Sequence, residues 1–137
     1  MIIKRNPLSE CEQIVMKCVW DAGEDVTCAQ IKEVLKEKYE LDYKDTTVYT
    51  FLSNLKKKGF VDSQRRGVTY YWPIRDRDEY VGQIRKWYTD FWFHGSVAEH
   101  LRAYIYCHER SPEELHELKL VLTKIMKDKE PVRKDEN

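Results

Sequence analysis

Apolar residues recur three and four apart over Cys11, Ile14, Val15, Cys18 and Val19, which predicts a first helix with one buried face. Ser9-Glu-Cys-Glu12 opens it as a capping box, a serine with a glutamate three residues on. Asp21-Ala-Gly-Glu-Asp-Val26 is a polar break. Thr27-Cys-Ala-Gln30 is a second capping box, followed by the stripe Ile31, Val34, Leu35 and Tyr39. Residues 41–44 read as a turn, and Asp45 or Thr46 should cap a third helix. Val48, Phe51, Leu52 and Leu55 form its core stripe, and Gly59 stops it just after three lysines. The period then changes to two. Phe60-Val-Asp-Ser63 and Val68-Thr-Tyr-Tyr-Trp72 read as strands of a hairpin with Arg65-Arg66-Gly67 at its tip. Three helices and a hairpin within residues 1–75 is the order of a winged helix.

A different pattern begins at Asp76. Tyr80, Ile84, Trp87, Tyr88, Phe91 and Trp92 make a broad aromatic stripe that Gly95 interrupts. Ser96-Val-Ala-Glu99 restarts a helix carrying Val97, Leu101, Tyr104 and Ile105. Ser111-Pro-Glu-Glu114 then places a cap, a proline at the first helical position and a glutamate at the third. Leu115, Leu118, Leu122, Ile125 and Met126 continue that last helix, which Pro131 should end, leaving residues 131–137 as a loose tail. This many large apolar groups in so short a segment either fold back onto the first domain or make an interface. The expected division is therefore a winged-helix domain over 1–75 and a helical dimerisation domain over 76–130. Tyr80, Trp87, Phe91, Trp92, Leu101, Tyr104, Leu115, Leu118 and Leu122 are the expected dimer contacts. The fold class is mainly α with a small β-hairpin: an N-terminal winged helix-turn-helix plus a C-terminal helical dimerisation arm.

The open face of the third helix carries Thr46, Tyr49, Thr50, Ser53 and Lys57. Hydroxyls on a half-buried helix suit the DNA major groove, because they bond to phosphates and to base edges alike. Lys44, Thr46, Thr47, Tyr49, Thr50 and Ser53 are the candidate contacts on this helix, and Arg65 and Arg66 are those on the wing. Tyr49 either stacks on a thymine methyl or a sugar, or covers the edge of the second helix. Lys56, Lys57 and Lys58 are weaker candidates, since their end of the helix points away from the groove floor.

The formal net charge of zero hides an asymmetry. From Lys44 to Arg66 there are six Lys and Arg against two Asp and Glu, so positive charge gathers where groove and wing would meet phosphate. The chain of 137 residues has no apolar run long enough for a membrane span and no signal-peptide pattern, which points to a cytoplasmic protein. Cys11, Cys18, Cys28 and Cys107 lack metal or disulfide spacing; Cys11 and Cys18, seven apart, read as small hydrophobes on a helix face.

His94, His100, His108 and His116, with Glu113 and Glu117, raise the question of a metal site, but zinc takes three or four converging ligands and no such set is expected. The chain has no nucleophile elbow or glycine-rich phosphate loop, so neither an enzyme nor a cofactor is expected. The competing reading is a winged-helix protein-interaction module without specific DNA readout. Such a module would carry apolar residues on the open face of the third helix, where this chain carries hydroxyls.

Leu8-Ser-Glu-Cys-Glu-Gln-Ile-Val-Met-Lys-Cys-Val-Trp20, Thr46-Thr-Val, Phe51-Leu-Ser-Asn-Leu-Lys-Lys-Lys-Gly59 and Tyr70-Tyr-Trp-Pro73 together resemble the penicillinase-repressor family, the BlaI and MecI type with its copper-responsive CopY relatives. Phe93-His-Gly-Ser96 and Ser111-Pro-Glu-Glu-Leu-His-Glu-Leu118 extend the likeness over residues 5 to 127. The resemblance implies a homodimeric repressor that binds an inverted-repeat operator and is released by an inducing signal, with a sensor protease among its partners. Two departures stand out. β-Lactam-responsive members are cut between an Asn and a Phe, and the aligned bond here is Ala103-Tyr104. Copper-responsive members repeat a Cys-x-Cys pair near the C-terminus, whereas no cysteine follows Cys107 here.

Overall fold

The computed structural model describes residues 5–129. Six helices and three strands follow in the order α1 (Glu10–Ala22), β1 (Val26–Thr27), α2 (Cys28–Tyr39), α3 (Asp45–Lys57), β2 (Val61–Arg66), β3 (Val68–Pro73), α4 (Arg77–Phe93), α5 (Val97–Cys107) and α6 (Pro112–Asp128). Both capping boxes form: Ser9 exchanges bonds with Glu12, and Thr27 with Gln30. Asp76, Ser96 and Ser111 cap α4, α5 and α6 through Glu79, Glu99 and Glu114 N–H groups. Pro131 and the expected tail lie outside the described residues.

α3 starts differently from expectation. Its N-cap is Lys44, with no side-chain hydrogen bond to the helix, and Asp45 and Thr46 both sit in the first turn. Asp45 instead pairs with Lys32 of α2 at 3.0 Å, which removes it from capping. The C-terminus ends as a Schellman turn, Phe60 N–H to the Leu55 carbonyl at 2.9 Å and Gly59 N–H to that of Lys56 at 3.1 Å. Gly59 takes φ +80° there, a conformation that a side chain would strain.

The sheet has three strands rather than two, in the order β1-β3-β2, all antiparallel. β1 joins the last residue of the stretch read as a polar break to the first of the second capping box; Val26 pairs with Tyr71 and Thr27 with Tyr70. Two residues are too few to give a period. β2 runs through Arg66, so Arg65 pairs with Thr69 and Arg66 with Val68, and Gly67 alone turns the hairpin.

Val15, Met16, Val19, Ile31, Leu35, Val48, Leu52, Leu55, Phe60 and Val61 are the centre of the core, drawn from α1, α2, α3 and the base of the wing. Of the α1 stripe, Val15, Cys18 and Val19 are buried while Cys11 and Ile14 are half-buried. The chain divides into two compact units with the break between Gly95 and Ser96, so α4 groups with the winged helix, twenty residues beyond the boundary expected at 75.

Tyr80 is the reason α4 belongs there. Expected as a dimer contact, it is 2% exposed in the first unit's core. Its ring lies 5.3 Å from Phe60 and 5.7 Å from Trp20, and its hydroxyl donates to Asn6 Oδ1 at 2.7 Å. A continuous aromatic stripe along a helix does not reveal where cover ends. Beyond the first turns Tyr88, Phe91 and Trp92 of that stripe are exposed, although Thr89 between them is buried.

Candidate nucleic-acid interface

The α3 stripe Val48, Leu52 and Leu55 is wholly buried, which turns the opposite side of the helix outward. Thr46, Tyr49, Thr50, Ser53 and Lys57 are all exposed on that open side. Lys44 is exposed at the N-cap. Thr47 is half-buried on the flank, toward Phe51, and so stands apart from the other hydroxyls. Thr50 donates to the Thr46 carbonyl at 2.9 Å. Tyr49 leans toward α2, where burial pushes the Cys28 thiol pKa up, Asp45 adds to the rise, and the Tyr49 hydroxyl pulls it back.

The three lysines after the stripe separate by function of position. Lys56 reaches the Ser63 hydroxyl at 2.9 Å, and Lys58 turns inward to Glu12 and the Pro7 carbonyl. Lys57 faces outward with Thr50 and Ser53 and makes no hydrogen bond or ion pair within the described residues. At the other end, the first N–H groups of α3 receive no side-chain cap and point at the region where Lys44 sits. A helix start of this kind favours phosphate oxygens.

The two wing arginines lie on opposite faces of β2. Val61 is in the core and Ser63 bonds Lys56 of α3, so Arg65, next on that face, is on the α3 side. Arg65 is exposed and makes no hydrogen bond or ion pair within the described residues. Arg66 faces the other way and is held. Its guanidinium donates to Asp25 Oδ2 at 2.8 Å and to Gln64 Oε1 at 3.1 Å, and it lies 5.6 Å from the centres of both the Tyr70 and Trp72 rings. Asp25 gives no periodic signal in the sequence, and its pairing with Arg66 spans 41 residues.

The expected dimer contacts divide as well. Trp87 is half-buried and stacks on Phe91, 5.1 Å between ring centres and nearly parallel. Phe91, Trp92, Tyr104, Leu115 and Leu122 are exposed, and Leu101 and Leu118 half-buried. Neither α5 nor α6 has a buried residue.

The family model described as the penicillinase repressor matches residues 8–124. The chain belongs to the penicillinase repressor family. Its members are transcriptional regulators rather than enzymes, and this penicillinase repressor homologue is a DNA-binding transcriptional repressor. Comparison with curated proteins finds no match. Among solved structures, it is similar to the monomeric form of Bacillus licheniformis BlaI in complex with the blaP half-operator. That likeness is 25% identity over 57% of this chain and 90% of that one, with a TM-score of 0.44. It is also similar to a complex structure of RosR, the H. salinarum protein, at 14% identity over 90% of this chain and 93% of that one, with a TM-score of 0.52. The latter supports the winged-helix fold. Among the described residues, no helix of the repressor is long and apolar enough to cross a membrane, and no three His, Cys, Asp or Glu side chains converge as metal ligands.

Proposed function

We propose that the repressor acts as a homodimer on an inverted-repeat operator. Each copy lays the open face of α3 in a major groove, with Thr46, Thr50 and Ser53 toward base edges and phosphates and Tyr49 at the groove wall. Lys44 and Lys57 meet phosphate at the two ends of the helix. Thr47, half-buried on the flank, contributes less than its neighbours. Arg65 extends the contact from the wing, and Arg66 holds the wing in place.

The dimer reading is carried by one observation: α5 and α6 bury no residue of their own, although Leu115, Val121, Leu122 and Ile125 repeat along one helix. Apolar surface of that extent is covered by a partner in a stable protein. A second copy is the natural cover, because a two-fold operator pairs two recognition helices at fixed spacing. A sensor protease is the partner that the family resemblance implies for induction. At the aligned Ala103-Tyr104 bond of α5, alanine stands where the β-lactam-responsive members have asparagine.

Sedimentation of the full chain, combined with titration against a duplex enriched from random sequence, tests this reading. A dimer at micromolar concentration and operator affinity that rises steeply with protein concentration are expected. A monomer that binds the enriched duplex as a single copy with undiminished affinity overturns it. Equal affinity for enriched and random duplex would favour an interaction module over a sequence reader.

A further inference from the structure

We propose that Thr50 reads its base as a hydrogen-bond acceptor, selecting an amino base (adenine or cytosine) over a keto base (guanine or thymine) at the operator position it faces. The inference rests on the open face of α3 lying in the major groove.

Thr50 is exposed in the middle of that face, and its hydroxyl donates to the Thr46 carbonyl one turn back at 2.9 Å. A hydroxyl has one hydrogen to give and two lone pairs to offer. With the hydrogen spent inside the helix, Oγ1 presents acceptor capacity to whatever approaches from outside. Accepting a bond from a base leaves the bond to Thr46 intact. Donating to a base requires giving it up.

The major-groove edge distinguishes these two cases. Adenine carries the N6 amine and cytosine the N4 amine, whereas guanine and thymine carry the O6 and O4 oxygens in the corresponding place. An amine completes the pairing of Thr50. A keto oxygen faces another acceptor, leaving two desolvated lone pairs without hydrogens between them. The discrimination is therefore amino against keto, and it does not separate adenine from cytosine. The neighbouring hydroxyls differ. Thr46 and Ser53 are exposed, and their hydroxyls make no hydrogen bond within the described residues, so each turns freely to donate or accept. Of the three aliphatic hydroxyls on this face, that of Thr50 has its polarity set before DNA arrives.

The test is selection of the full-length protein on randomised duplex DNA, run in parallel for the native chain, Thr50→Val and Thr50→Ser. Valine keeps the shape and removes the acceptor; serine keeps the acceptor and can make the same bond to Thr46. The native chain should enrich adenine and cytosine together at one position of its site. Thr50→Ser should keep that preference, and Thr50→Val should lose about tenfold of discrimination there, leaving the other positions unchanged. Where the enriched base is adenine, replacing it with purine, which lacks the N6 amine, should weaken the native chain about tenfold and Thr50→Val little. A keto preference that disappears in Thr50→Val overturns the inference, as does a Thr50→Val profile identical to the native one. Failure of the native chain to enrich any sequence counts instead against the placement of α3 in the groove.

Discussion

The ammonium of Lys58 lies between both carboxylate oxygens of Glu12, at 2.8 and 3.0 Å, and bonds the Pro7 carbonyl at 2.8 Å. Glu12 is at the same time the third residue of the α1 capping box, accepting from Ser9 N–H at 3.0 Å. One carboxylate thus ties the start of α1 to the end of α3. The burial of the two partners is unequal, with the Glu12 side chain 7% exposed and that of Lys58 38%. Removing Lys58 strands a buried anion, whereas neutralising Glu12 leaves a lysine that water can reach. Lys58→Met should cost about 2 kcal/mol, less than for a fully buried pair because solvent reaches the lysine. Glu12→Gln, which keeps the cap, should cost about 1 kcal/mol. Urea unfolding of the two variants measures the order, and equal costs would show that burial of Glu12 does not set the energy.

The same pair gives stability a pH dependence. Burial pushes the Glu12 carboxyl up, but its bonds to Lys58 and Ser9 outweigh burial and hold the folded pKa below the ordinary value. A carboxyl whose folded pKa is depressed binds its proton more readily when unfolded. Its contribution is therefore complete above the unfolded pKa, about 4.3, and is lost as pH falls through the folded value. The urea midpoint of the native chain should drop on acidification below about pH 4.3, and the drop should be smaller in Glu12→Gln. An unchanged slope in that variant would assign the acid sensitivity to other carboxylates.

The wing arginines should separate in salt titrations of DNA binding. Arg65→Ala should reduce the slope of log K against log salt by about 0.9, the value of one released phosphate contact. Arg66→Ala should leave the slope near that of the native chain while weakening binding, because the Asp25 tether and the cover over Tyr70 and Trp72 are lost. Asp25→Ala frees Arg66 to reach phosphate and should raise the slope by up to about one. Equal slope changes in Arg65→Ala and Arg66→Ala would place both side chains on DNA.

Variants at Tyr80 and Leu122 test the core against the proposed dimer interface. Tyr80→Ala removes a ring packed on Phe60 and Trp20 and should cost about 3–5 kcal/mol in unfolding of the first unit. Tyr80→Phe, which leaves Asn6 without its donor, should cost about 1 kcal/mol. Leu122→Glu should leave that transition in place and weaken the proposed dimer at least about tenfold, since it would place a charge in its apolar contact. Sedimentation and urea unfolding on the same samples give both readouts. A Tyr80→Ala chain that unfolds like the native one but no longer dimerises would reverse the two assignments.

The capping boxes at Ser9 and Thr27, the stripe Val48-Leu52-Leu55, the stop at Gly59 and the strand pair of the wing were legible from residue types and spacing alone. Each depends on neighbours within about five residues or on a repeating period, and such interactions are written locally. The open face of α3 was legible for the same reason: once the apolar stripe is known, its opposite side is known. The start of α3 was not, because Asp45 has two competing partners and the one that wins, Lys32, belongs to another helix.

What the sequence by itself determined is the order of the helices and of the two wing strands, the polarity of the α3 face and the family to which the chain belongs. Tertiary structure alone decided three things. It gave β1 a partner in β3, since two residues make a strand when another strand supplies the hydrogen bonds. It turned Arg66 away from the α3 side, because β2 continues past the expected turn and alternation then sends adjacent arginines to opposite faces. And it divided the α4 stripe between core and surface at Tyr80, because periodicity says which side of a helix is apolar but not how far along it another element packs.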